Sequence, residues 1–363
     1  MSWFLAFAGF AALIILHEIG HFAAAKAVGM RVERFSLFFG RTPLRFQRGE
    51  TEYGVGWLPL GGFVKITGMN PHEELAPEVA PRAYFRQPVW KRIVVIVAGP
   101  AVNIVLAFLI LWVLIWANGI AEPTKRVDRP EPGSPAAGAL LPGDELVSVD
   151  GKRGGQEALA RQIATHRCAG KQVDGCRAAE PVSVVVRRGG TEAAPGAERT
   201  FTLTPLYDAE AQRPRLGFSF QVKEIAIGPA DAARRSLDQM WFFTKGTVET
   251  IARIFEAEKR KEISGVVGTY EVTRQSIELS ATRAFFLLAV VSLSLGIINL
   301  FPFLPLDGGH IFWAVAEKVR GRAIPVSVME RAGFVGFALV LTLFFIGFTN
   351  DIGRLTGEGF PVR

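Results

Sequence analysis

The sequence predicts a polytopic α-helical membrane protein with four transmembrane helices, a membrane-dipping β-hairpin or loop on the cytoplasmic side, and one extracytoplasmic α/β domain. Three observations carry that reading. Four apolar stretches, near 3–25, 93–117, 284–300 and 332–348, are each close to the ~20 residues needed to cross the hydrocarbon layer. The segments joining the first to the second and the third to the fourth are basic. Between 118 and 283 the apolar runs shorten and are broken by Gly/Pro turns. Composition agrees: 49% of the 363 residues are hydrophobic and 21% are charged, and the mean hydropathy is +0.26. That is too apolar for a soluble protein of this size. A net charge of +7 raises nucleic acid as a partner, but no binding motif on a basic face accompanies it, so none is expected.

Taken in order, region 1–117 holds the first two spans. No basic stretch precedes the first, so it reads as an uncleaved span rather than a signal peptide. Residues 26–92 carry eleven Lys or Arg against six Asp or Glu. Lys318, Arg320, Arg322 and Arg331 outnumber Glu317 and Glu330 in the loop between spans three and four. Basic loops stay cytoplasmic, which puts both termini, the tail 351–363 and the long 118–283 segment outside. Within about 50–69, "TEYGVGWLPLGGFVKITG" predicts a hairpin with its turn near Gly61-Gly62. Its apolar residues, Val55 to Ile66, suit a structure dipping into the bilayer. Residues 120–207 alternate strand-like runs with turns around one helical stretch, the length of a small domain. Residues 228–282 switch to helical periodicity, with an apolar face through Leu237, Met240, Trp241, Thr244, Val248, Ile251 and Phe255. That face is expected to lie on the membrane surface or the outer domain. Spans three and four occupy 284–350. The spans show no internal repeat, which argues against a transporter. Two cysteines are too few for a disulfide framework. Cys168 and Cys176, in the segment placed outside, are nevertheless expected to pair, because disulfides persist there.

The chemistry begins at "LIILHEIGHFAAAK", residues 13–26. Ionisable groups at such depth are expensive and usually functional. His17 and His21, four apart, share one face of a helix and can hold one zinc. Glu18 beside them is placed to act as general base toward a water at the metal. Two histidines leave a catalytic zinc one protein ligand short, and the acidic residue at matching depth is Asp307, in "NLFPFLPLDGGH". There Pro302, Pro305, Gly308 and Gly309 are expected to break the helix, as backbone lining a water-filled cavity can. Asn103 in span two is explained as well by helix packing and hydrogen bonding across helices as by substrate contact.

Together these motifs resemble the site-2 protease family of zinc intramembrane metalloproteases, in its bacterial single-PDZ branch. The likeness is carried by His17-Glu18-Ile19-Gly20-His21, "LPLGGFVKITG", "AGPAVN", "GSPAAGALLPGDELVSVDG" and "NLFPFLPLDGGH". The resemblance implies one zinc per chain on His17, His21 and Asp307, with Glu18 as catalytic base. Asn299 would position substrate or stabilise the oxyanion. Gly61, Gly62, Phe63, Val64 and Pro302 would contact an unwound substrate helix, and the 120–207 domain would be PDZ-like. The implied substrates are single-span membrane proteins, either anti-sigma-factor-like proteins already trimmed by a site-1-type protease or remnant signal peptides. The setting would be the bacterial inner membrane, with a monomeric enzyme in contact with the lipid bilayer and its active site near the cytoplasmic side. The competing expectation is a PDZ-bearing scaffold or chaperone without catalysis, which would not need the intact set of His17, Glu18, His21 and Asp307.

Overall fold

The computed structural model describes residues 2–70, 73–189, 196–253, 256, 260 and 263–357. The chain divides into two units, Met1–Ala117 with Gly228–Arg363, and Asn118–Ile227.

Among the described residues of the first unit, four helices are long and apolar enough to cross a membrane: α1 (Ser2–Ala27), α2 (Val89–Asn118), α6 (Ala281–Asn299) and α8 (Val326–Thr356). Between α1 and α2 lie four strands, β1 (Val32–Phe39), β2 (Leu44–Arg48), β3 (Thr51–Val55) and β4 (Leu58–Ile66). Their order is β2-β3-β1-β4, with β1 parallel to β3 and antiparallel to β4. The expected hairpin with a turn at Gly61-Gly62 is therefore replaced. β3 and β4 are not paired, β1 lies between them, and Gly61-Gly62 sits within β4. The tight turn is instead at Gly49-Glu50, joining β2 to β3, where Gly49 has φ +65°. Sequence reading missed β1 because "VERFSLFF" mixes charged and apolar residues directly after a helix. Val55, paired on both sides, is interior, whereas β4 has a strand partner on one side only.

Two apolar clusters hold this unit. Ala25, Met30, Val32, Ile66, Tyr84, Val95 and Ile96 join the end of α1 to the sheet and to α2. Ala107, Leu111, Met240, Ala289 and Leu293 join α2, α4 (Pro229–Ala252) and α6. Each fully buried Val, Leu, Ile or Met among them contributes about 1.5–3 kcal/mol. The helical segment expected over 228–282 comprises, among the described residues, α4 and α5 (Val266–Leu279). Met240 packs into the second cluster while Leu237, Trp241 and Val248 stay exposed; Phe255 lies outside the described residues. α5 starts where Asp351 of α8, fully buried, accepts the backbone N–H groups of Gly265 and Gly268. Those are the first-turn donors a helix leaves without partners. The tail predicted at 351–363 accordingly continues α8 to Thr356, and 358–363 lie outside the described residues.

The second unit is a five-stranded antiparallel sheet of order β11-β5-β6-β7-β8, with one helix and a two-stranded ribbon. Its elements are β5 (Ile120–Pro130), β6 (Glu145–Val149), α3 (Gln156–Ala164), β7 (Val182–Arg188), β8 (Ala197–Leu203), β9 (Leu206–Asp208), β10 (Arg213–Arg215) and β11 (Phe218–Ile225). Along β7 alternate residues Val182, Val184 and Val186 point inward, the period-2 pattern of a half-buried strand. They meet Leu146, Val149, Leu159 and Leu216. The boundary read at 207 stops short, because β11 closes against β5. Cys168 and Cys176 are joined by a disulfide, beside the bridge between residues 168 and 178.

Candidate metal and active site

α1 presents His17 and His21 one turn apart on a face where both are buried. Asp307 is the first residue of α7 (Asp307–Arg320). Gly308 and Gly309 do not break a helix, as expected from sequence, but form the first turn of α7. A Cβ at Gly308 would collide with the backbone of Leu300, and one at Gly309 would come within 2.5 Å of Leu304 N. The interruption is the stretch 300–306, which folds back over these glycines.

The three candidate ligand atoms form a nearly equilateral triangle. His17 Nε2 and His21 Nε2 are 3.2 Å apart, and Asp307 Oδ2 lies 3.2 Å from the first and 3.3 Å from the second. Bonds of about 2.0–2.1 Å from zinc to nitrogen or oxygen give a regular tetrahedron edges of roughly 3.3–3.4 Å, so the triangle fits one face of such a site. The donor chemistry fits too. His21 Nδ1 lies 2.8 Å from the carbonyl oxygen of Val95; a carbonyl only accepts, so Nδ1 carries a proton, which leaves Nε2 as the nitrogen that can present a lone pair to a metal. That lone pair faces Asp307 Oδ2, which is buried without a hydrogen-bond partner. Acceptors packed against one another in this way need a cation between them. A carbonyl on the far nitrogen of a metal-ligating histidine is also the usual way its tautomer and ring orientation are fixed.

These residues line a cavity of about 470 Å³ that also receives Glu18, Gly61, Gly62, Phe63, Val64, Asn299, Pro305 and His310. Gly62 is required by close approach: a Cβ there would come within 3.0 Å of both Glu18 Cγ and the carbonyl oxygen of Ser36. The edge strand β4 thus runs directly past the acid. Two residues expected at the substrate are not brought there. Pro302 is exposed on the 300–306 stretch. Asn103 is fully buried in α2, away from the cavity lining, and its backbone carbonyl accepts from Ser292 Oγ of α6.

Sequence reasoning also missed contributors. Gly99 in "AGPAVN" leaves room for the His21 ring, since a Cβ would stand 2.6 Å from its Cε1 and 2.8 Å from its Cδ2. Val95 carries no sequence signal, because it acts through its carbonyl. His310 could have been found, one turn beyond Asp307 in the quoted motif.

Comparison with known proteins agrees with this geometry. The Peptidase family M50 pattern matches residues 5–343, a range that contains every ligand candidate. The chain is 30% identical to zinc metalloprotease Rip1 of Mycolicibacterium smegmatis, over 92% of this chain and 90% of that one. It is 30% identical to a protein of Nostoc sp., over 99% and 98% of the two chains, and 29% identical to one of Campylobacter jejuni, over 95% and 92%. Both are named as candidate zinc metalloproteases. With a His-His-Asp group of the kind that holds zinc and a match running almost end to end, the chain belongs to peptidase family M50, the site-2 proteases.

Proposed function

We propose that this protein is a zinc-dependent intramembrane endopeptidase of the site-2 type, holding one zinc on His17, His21 and Asp307. The triangle of Nε2, Nε2 and Oδ2 atoms on the wall of a cavity shared with Glu18 and β4 carries this reading. A zinc held there would polarise a peptide carbonyl and lower the pKa of adjacent water. Glu18 takes the proton of the attacking water and returns it to the leaving amine. Asn299, reaching the cavity from the end of α6, donates to the carbonyl oxygen as it gains charge. A helical substrate hides its peptide groups. Unwound and laid along β4, it regains backbone hydrogen bonds by strand addition, with Gly61 and Gly62 permitting close approach and Phe63 and Val64 meeting its side chains.

The substrates we assign are single-span membrane proteins, either anti-sigma-factor-like proteins already trimmed by a site-1-type protease or remnant signal peptides. Loop charge supports a bacterial inner-membrane orientation with both termini outside and the site near the cytoplasmic face. The enzyme acts as a monomer. The 118–227 unit is read as PDZ-like. β5 starts two residues after α2 ends, and α4 starts four residues after β11 ends. A domain tethered so shortly is suited to exclude substrates with bulky outer parts, without needing affinity for a peptide end.

The deciding experiment is zinc analysis of purified protein together with cleavage of a co-expressed, trimmed single-span substrate. His21→Ala and Asp307→Asn should lose both zinc and cleavage. Glu18→Gln should keep zinc and lose cleavage by about 10²–10⁴-fold, the usual size of a general acid–base contribution. Undiminished cleavage by Glu18→Gln would remove Glu18 from the mechanism.

A further inference from the structure

α2 carries a buried stripe of Arg92, Val95, Ile96, Gly99 and Asn103, spaced to share one helix face. Val95 and Gly99 set the His21 ring from this stripe. Arg92, one turn earlier, is 3% exposed and is paired with Glu317, 225 residues away. Its two terminal nitrogens donate to the two carboxylate oxygens at 2.8 and 2.9 Å. Burying a charge this completely is costly and is only partly offset by pairing, so the pair is weak evidence for stability alone. Its position suggests another role. Glu317 stands ten residues after Asp307 on the same helix, about 15 Å along the axis at 1.5 Å per residue. Between them Ile311 packs into the cluster that contains Val95 and Ile96. α7 is therefore tied to α2 by the ion pair and, through Ile311, to the cluster that α2 shares with α1 and the sheet, and the end of α7 opposite the pair carries the third metal-ligand candidate.

We propose that the Arg92–Glu317 pair is a positioning device for the metal site. It sets the rotation and advance of α7 on α2 so that Asp307 Oδ2 meets the two histidine nitrogens. One helix face then aligns ligands from both ends of the chain. The bidentate geometry is essential, because two parallel hydrogen bonds fix an angle as well as a distance, whereas a lysine would supply only a point charge. The inference rests on the metal reading above, but its readout is zinc retention rather than cleavage.

The test loads full-length protein with zinc and follows its release into a chromophoric chelator, for wild type, Arg92→Lys, Arg92→Gln, Glu317→Gln and the double variant Arg92→Gln/Glu317→Gln. Each single variant should release zinc about 10–100-fold faster, the cost typical of disturbing groups that orient metal ligands. The double variant should be no faster than either single one, because the two residues act as a unit. The visible spectrum of the cobalt-substituted Arg92→Lys protein should also shift, which simple loosening elsewhere would not produce. Arg274→Gln, which breaks an ion pair on α5, serves as the control. Arg92→Lys is the mildest change and decides the matter if the others do not fold. Release by Arg92→Lys at the wild-type rate, or no faster than by Arg274→Gln, would overturn the proposal. A wild-type chain that holds no zinc would sink the metal reading itself.

Discussion

Adding a single methyl group at Gly99 should dismantle the metal site while leaving the fold intact. The Cβ of Gly99→Ala would stand 2.6 Å from His21 Cε1 and 2.8 Å from Cδ2. Carbon atoms sit at about 3.5–4.0 Å in good contact, so the ring must retreat by roughly 1 Å. It cannot do so freely, because Val95 holds Nδ1 from one side. Metal sites keep their ligand distances within about ±0.2 Å, so a shift several times larger removes His21 as a ligand. The expected loss of zinc affinity is at least about 100-fold, or roughly 2.8 kcal/mol at 1.4 kcal/mol per factor of ten. Alanine is also the best helix former, so α2 itself should not suffer. The assay is competition against a chelator of known affinity, with circular dichroism and thermal unfolding run alongside. Gly99→Ala protein that is folded and binds zinc as tightly as wild type would refute the geometry assigned to His21.

The 118–227 unit and the acid limb of stability give two further predictions. Replacing residues 120–225 with a short flexible linker should let untrimmed substrates with large outer domains be cut, with trimmed ones cut about as before. Loss of cleavage of trimmed substrates, with zinc retained, would instead favour peptide recognition by that unit. Glu50, at the turn between β2 and β3, is bound by Arg82 and Lys26, which hold its carboxyl down to about 2 from the ordinary 4.5. A depressed folded value means stability that is present above about pH 4.5 and lost as pH falls toward 2. All three side chains meet solvent, so the contribution should be about 1 kcal/mol. Thermal unfolding of Glu50→Gln should accordingly fall less between pH 5 and pH 3 than that of wild type, and parallel curves would count against the pairing.

How much of this was legible in the sequence follows from what kind of distance each feature encodes. His17 and His21 could be read because four residues make one helical turn, and that period is written locally. Asp307 could be read only by elimination, as the acid at the right depth. The four candidate spans were legible because hydrophobicity over some twenty residues is a composition, and composition survives without three-dimensional knowledge. The sheet after α1 was misread for the opposite reason. Its order places β1 between β3 and β4, and nothing local to "TEYGVGWLPLGGFVKITG" says that a preceding strand inserts itself there. Gly61-Gly62 looks like a turn to any rule based on glycine, yet its use is close approach, Gly62 to Glu18. The same holds for Gly308-Gly309, where small residues let α7 start against the backbone of residues 300–304.

The groups that complete the site were the least legible, and the reason is physical. Val95 orients His21 across 74 residues through a main-chain oxygen, which any side chain at that position would equally supply. Arg92 meets Glu317 across 225 residues, and each alone reads as one more charge in a loop-flanking region. Such pairs have no period and no composition; they exist only once α2 packs beside both α1 and α7. A metal centre assembled from both ends of a chain therefore needs a third element to hold the two ends in register. In this protein that element is α2, whose buried stripe touches the surroundings of two of the three candidate ligands without offering a ligand of its own.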